Sequence, residues 1–223
     1  KRVTAEVCIH HLWFDESRYE ELGTKIKCNP AIKRATDRQA LVAAVNDGRI
    51  DVIATDHAPH APETKEQPLD QAPPGMLGLE TALGVSLASL DMELADVVAA
   101  LSWKPAAIAG VTDRHGRPIA PGERANLALF DPHEVWEVVP ARLASKSRNT
   151  PYVGMPLRGR VVRSENDWDF LDDKRTPYNP DDDEIVALDD LTNRPPRMKP
   201  HRPPRTKRAV RRRRGEPVSR IER

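Results

Sequence analysis

Asp51-Val52-Ile53-Ala54-Thr55-Asp56-His57-Ala58-Pro59-His60 is the stretch on which the fold turns. Val52 to Thr55 is short, apolar and rich in β-branched residues, so Ile50 to Thr55 reads as a buried strand. It ends abruptly in Asp56, His57 and His60, and Pro59 stops any continuation. A buried parallel strand that ends in ionisable residues places them at its C-terminal mouth. In a (β/α) barrel that mouth is where the chemistry sits.

The surrounding sequence supports a parallel sheet. Upstream, Val3 to Ile9 alternates and predicts a strand ending at His10-His11. Lys25 to Cys28 predicts a short strand closing at Asn29-Pro30. Thr36 has N-cap chemistry, and Leu41, Val42 and Val45 fall at helical spacing within Asp37 to Asn46, stopped by Asp47-Gly48. Strand, helix, strand with short links is βαβ grammar. Downstream, residues 57–78 form a long proline-rich loop, the kind that carries function after a barrel strand. Leu79 to Leu90, Leu94 to Trp103 and Ala106 to Ala109 read as helices, with a break at Lys104-Pro105. Strands are expected at Asn126 to Phe130 and Val135 to Val139. Residues 147–159 read as a loop leading into Arg160 to Arg163.

The expected organisation has three parts. Residues 1–110 form an α/β unit, the C-terminal part of a (β/α)8 TIM-type barrel with about three strands. Residues 111–163 form a segment of a small β subdomain with a return loop. Residues 164–223 form an acidic-then-basic tail, expected to be disordered. The 223 residues carry 35 Lys and Arg against 34 Asp and Glu, a net charge of +1. That balance says nothing about partners, but its distribution does. Acid clusters between Glu165 and Asp190, and the chain then turns basic through Arg211–Arg214. Clustered Arg could meet phosphates. With no interleaved aromatic and no helical pattern, a solvated tail is the preferred reading, and nucleic acid is not an expected partner.

Two cysteines among 223 residues, Cys8 and Cys28, make neither a Cys-x-x-Cys pair nor a zinc-finger spacing. They read as reduced thiols of a cytoplasmic protein. No apolar run reaches membrane length, so no membrane partner is expected.

Asp56 is the candidate for proton transfer, a carboxylate at a strand mouth beside two histidines. Taken alone, it could equally cap a turn. His10 and His11 invite reading as a metal pair. On a strand end, neighbours point to opposite sides, so structural roles are expected for both. His57 is expected to support other groups rather than bind metal.

Several stretches together resemble the class I dihydroorotases, zinc-dependent cyclic amidohydrolases. They are Lys27-Cys28-Asn29-Pro30, the run from Asp51 to His60, and the loop Ala72-Pro73-Pro74-Gly75-Met76-Leu77-Gly78-Leu79-Glu80-Thr81. Lys104-Pro105-Ala106, the turn from Ile119 to Pro132, and Ser147-Arg148-Asn149-Thr150-Pro151 continue the match. The resemblance runs from about Lys1 to Val162. It implies a zinc-dependent, reversible cyclisation of N-carbamoyl-L-aspartate to L-dihydroorotate, a step of pyrimidine synthesis. It implies that Asp56 is both a zinc ligand and the catalytic acid/base. It further implies that Asn29 hydrogen-bonds the dihydroorotate ring, that His60 binds near the substrate carboxylate, and that the backbone at Pro74 and Gly75 holds the ring amide.

The match has departures. Ile9 stands where the family has Pro before the histidine pair, Ala31 and Lys33 replace a Pro and an Arg, and Pro74 replaces a Phe. The family's first-strand His-x-His, its bridging acidic or modified-lysine ligand and two further histidines match nothing here. The zinc site is binuclear in the family, and a catalytic zinc takes three protein ligands. The chain is therefore expected to be the C-terminal portion of a longer enzyme.

Allantoinase- or hydantoinase-type cyclic amidohydrolases are the nearest alternative, with Asn29-Pro30 and His60 favouring dihydroorotase. A non-catalytic partner of aspartate carbamoyltransferase is a different class, and the retained Asp56, Asn29 and His60 argue against it. A second copy of the chain (a homo-oligomer) or an aspartate carbamoyltransferase is the candidate protein partner.

Overall fold

The structure is a computed structural model, and it describes residues 3–120 and 126–165. The disorder expected of the tail falls, beyond Glu165, outside the described residues.

Strand β1 (Glu6–Cys8) runs into the short helix α1 (Ile9–Trp13). After a 3-10 turn come α2 (Tyr19–Leu22) and a second 3-10 turn, Gly23–Ile26. Helix α3 (Ala35–Asn46) leads to β2 (Val52–Ala54). The two strands pair in parallel, with Val7 opposite Ile53 and Cys8 opposite Ala54. The strand–helix–strand order thus gives the parallel pair its pattern called for.

Three local expectations are corrected. The first strand stops at Cys8, because Ile9, His10 and Leu12 are all buried and a helical turn buries three side chains that an alternating strand would not. Lys25–Cys28 is not a strand. Gly23, at φ 51°, closes α2, and the chain tightens into a 3-10 turn before an extended Lys27. Helix α3 begins after Arg34 rather than at Thr36. The Asp37 carboxylate accepts the Arg34 backbone N–H at 3.2 Å, so the acid three residues in does the capping. Among the described residues the parallel sheet therefore has two strands, not three.

The long loop carries one turn of helix, α4 (Pro62–Lys65). Helix α5 (Ala82–Ser89) follows it. Helices α6 (Leu94–Val98) and α7 (Lys104–Ile108) are joined by a π turn over Ala99–Trp103, so the expected break at Lys104-Pro105 is instead a widened turn. Pro105 has no N–H to give, and its ring crowds the preceding turn. The Lys104 N–H bonds back to the Ala99 carbonyl five residues earlier, which relieves both problems.

Strand β3 (Leu127–Glu137) pairs antiparallel with β4 (Pro156–Glu165). The two short strands expected here are one, with a register shift between Asp131 and Val135. Pro132 interrupts the ladder there. The Asp131 side chain accepts the His133 and Glu134 N–H groups at 2.7 and 3.1 Å, which covers the gap.

This ladder lies on α5, where Gly84 makes the approach possible. A Cβ there would stand 2.9 Å from Leu157 Cβ and 3.0 Å from the Arg158 carbonyl. One apolar cluster runs from Val7, Ile9 and Leu12 through Ile53, Met76 and Val85 to Tyr152 and Leu157. Burying each such side chain contributes about 1.5–3 kcal/mol. The cluster holds the C-terminal ends of β1 and β2 against the long loop.

Candidate active site at the mouth of the parallel strands

Asp56 stands just past β2, exposed, with a positive φ of 46°. It is the one described residue other than glycine in that region. A left-handed turn costs a side-chain-bearing residue energy, and aspartate tolerates it better than most. Backbone strain of this kind concentrates where a side chain must be aimed.

Two further constraints fix the residues after Asp56. His57 Nδ1 accepts the backbone N–H groups of Gly78 and Leu79 at 3.1 and 3.2 Å. Its proton is therefore on Nε2, and burial lowers its pKa, opposed by Glu80. Gly78 fits only as glycine, since a Cβ would meet the Thr55 carbonyl at 2.6 Å. Residues 57 and 76 also form a parallel bridge. The mouth of β2 is thus stitched to the return of its own loop.

The loop reaches back to His60 through Asn149. The Asn149 side chain is buried; its oxygen accepts the His60 N–H at 3.1 Å, and its amide donates to the Ala58 carbonyl at 2.9 Å and the Gly75 carbonyl at 3.4 Å. Lys65, also buried, donates to the carbonyls of Pro73 and Gly75 at 2.9 and 3.0 Å. Burial followed by Lys27 lowers its pKa. His60 Nε2 donates to the Pro74 carbonyl at 2.9 Å, leaving Nδ1 as its other ring nitrogen. Gly75, at φ 129°, donates its N–H to the Lys27 carbonyl at 2.8 Å. Its donor is thus already used inside the protein, and Pro74 has none, so the pair offers a ring amide carbonyl lone pairs only.

Asn29 is exposed in a cis Asn29–Pro30 turn. The turn is held from both sides: the Lys27 carbonyl takes the Gly75 N–H, and His11 Nε2 donates to the Pro30 carbonyl at 2.9 Å. The segment bearing Asn29 is therefore tied to the loop bearing Pro74 and Gly75. Asp56, His57, His60 and the Pro74–Gly75 backbone occupy one connected set of loops.

Sequence reasoning passed over Asn149 and Lys65. Asn149 lay inside a quoted motif, yet its contacts join positions 74 to 91 residues apart, which no local pattern announces. Lys65 lies in the long proline-rich loop, where no local pattern marks a buried cation.

Beneath the mouth lies a second cluster. Cys8, His10 and His11 bring one ligand atom each within 4.8 Å of one another. Burial and then the Asp56 charge push the Cys8 thiol up to about 11, and Cys28 is likewise raised to about 11, chiefly by burial. Burial lowers His10 to about 3, with His11 adding to it. A zinc ion at Asp56 would need more ligands than Asp56 alone. Among the described residues, no group of three ligand-bearing side chains contains Asp56, so those present do not fit a closed zinc site there.

Comparison with known proteins gives the family. The pattern of the amidohydrolase family matches residues 2–179. A dihydroorotase of Mycobacterium leprae is 44% identical over 164 residues, covering 72% of this chain and 38% of its own length. One from Anaplasma phagocytophilum is 42% identical, over 73% of this chain and 36% of that protein. Among solved structures, an L-hydantoinase (dihydropyrimidinase) from Arthrobacter aurescens superposes with a TM-score of 0.67 at 27% identity, covering 73% of this chain and 38% of its own. A D-hydantoinase from Thermus sp. gives 0.64 at 23%, over 71% of this chain and 37% of its own, and bears on the fold alone. The chain spans little more than a third of the length of these relatives. No described helix is long and apolar enough to cross a membrane. With a TIM-barrel-type α/β fold, and with sequence relatives that are dihydroorotases, the chain belongs to the amidohydrolase family.

Proposed function

We propose that this chain carries part of the active site of a dihydroorotase, which opens and closes the dihydroorotate ring. The observation that carries the reading is the left-handed Asp56 at the mouth of β2, with His60 and the Pro74–Gly75 loop fastened beside it. A carboxylate so placed can take a proton from the attacking water and return it to the leaving ring nitrogen. His60 suits the substrate carboxylate when its ring is cationic, since its Nε2–H is already given to Pro74. Asn29 can both donate to and accept from a cyclic amide. The exposed Pro74 carbonyl, which takes the His60 Nε2–H, keeps a second lone pair for a ring N–H, whereas the buried Gly75 carbonyl already accepts from Lys65 and Asn149. Zinc, the metal the resemblance implies, would need ligands in addition to Asp56.

The second reading, a hydantoinase-type amidohydrolase, draws on the likeness to the L-hydantoinase of Arthrobacter aurescens. A chimera separates the two. Residues 1–162 would replace the aligned part of the Mycobacterium leprae dihydroorotase, and the product would be offered dihydroorotate and a hydantoin. Turnover of dihydroorotate alone supports the first reading. A folded chimera that prefers the hydantoin, or turns over neither ring, contradicts it.

A further inference from the structure

We propose that Cys8, His10 and His11 bind a divalent cation of the zinc class, at a site that does not use Asp56. The placement rests on a local change in chain geometry. On a strand the two histidines would diverge. On α1 their ring centroids lie 4.4 Å apart, tilted by 48°, and Cys8 at the end of β1 reaches the same point. The three ligand atoms lie within 4.8 Å of one another. A zinc ion with bonds of about 2.0–2.3 Å draws such atoms somewhat closer, within reach of side-chain rotation.

A second, independent observation points to a ligand. His10 is 1% exposed, and neither of its ring nitrogens has a hydrogen-bond partner. A buried polar ring with both nitrogens unmet is costly, and native proteins rarely leave one so. The neutral ring carries one lone pair and one N–H, so a cation on the lone pair satisfies one of the two nitrogens. His11 already has the support typical of a liganding imidazole: its Nε2–H is given to the Pro30 carbonyl, which leaves the Nδ1 lone pair free of a proton.

One thiolate and two imidazoles select zinc, cobalt or copper over magnesium or calcium. Three protein ligands leave a fourth position for an exchangeable ligand. Bound there, the cation would pin the β1-to-α1 turn, on which the Pro30 carbonyl and hence the Asn29 turn also rest.

Cobalt(II) is the probe. The metal-free 223-residue chain would be titrated with cobalt chloride and followed by absorption, with circular dichroism checking each variant's fold. The expected result is one equivalent bound in a tetrahedral spectrum with a thiolate-to-cobalt charge-transfer band. Cys8→Ser should abolish that band, and His10→Gln and His11→Asn should each weaken binding at least tenfold. Asp56→Asn should bind as the parent does. A folded parent without the band overturns the proposal, as does a band that survives Cys8→Ser or disappears with Asp56→Asn.

Discussion

Replacing Asn149 with alanine should loosen the whole mouth of the site. Its oxygen holds the His60 N–H at 3.1 Å and its amide the Ala58 carbonyl at 2.9 Å, with a weaker reach to the Gly75 carbonyl at 3.4 Å. Each good hydrogen bond contributes about 1 kcal/mol net, and a buried partner left unmet costs ~1–3 kcal/mol. Water can reach the half-buried His60 end, so the expected loss is about 2–3 kcal/mol. For a chain of this size that is roughly 4–12 °C in Tm. Asn149→Asp is the sharper variant. It keeps the acceptor for His60 but turns an oxygen toward two carbonyls, so it should melt below Asn149→Ala. Thermal unfolding by circular dichroism reads both, and amide exchange at His60 should accelerate in each. An Asn149→Ala Tm within ~2 °C of the parent, or an aspartate variant more stable than the alanine one, would refute the role given to this side chain.

Other outcomes follow from the same geometry. Gly75→Ala places a Cβ 2.6 Å from Ala58 Cβ and 2.7 Å from His60 Nε2, at a φ of 129°. Urea unfolding should show a loss of about 2–4 kcal/mol, and a loss under ~1 kcal/mol would mean the loop sits elsewhere. Asp56→Gly should relieve the left-handed backbone and raise stability by about 0.5–1 kcal/mol, while removing the proposed proton carrier; a lowered Tm would deny the strain. In the metal-free chain, Cys8 and Cys28 should alkylate slowly. Thiols moved from 9.0 to about 11 hold roughly a hundredfold less thiolate near neutral pH, and their rates should climb only as the pH approaches that value. Iodoacetamide rates near those of free cysteine at about pH 8 would contradict the burial.

The sequence made the parallel pair legible because two β-rich runs flank a helix with a clear C-terminal stop. Asp56 was legible for the same reason, standing where an apolar run ends in charge. Its left-handed backbone was not, since aspartate is not the residue such a turn usually demands. The strand expected at Lys25–Cys28 failed because four alternating residues weigh less than Gly23, which turns the chain just before them. The histidine pair was misplaced by a single boundary: ending β1 at Cys8 instead of Ile9 moves both rings from a strand to a helix. Asn149 and Lys65 act across the fold, and no periodicity encodes a contact between loops 8 to 91 residues apart.

The most direct test of the account is the rate at which the chimera bearing residues 1–162 hydrolyses dihydroorotate with Asp56 and with Asp56→Asn. Asparagine keeps the size and tolerates the same backbone, so what changes is what the carboxylate itself supplies: its charge, its proton transfer and its share in holding the metal the family implies. The account predicts a fall of roughly 10²–10⁴-fold with an unchanged melting temperature. Equal rates for the two chimeras would contradict it.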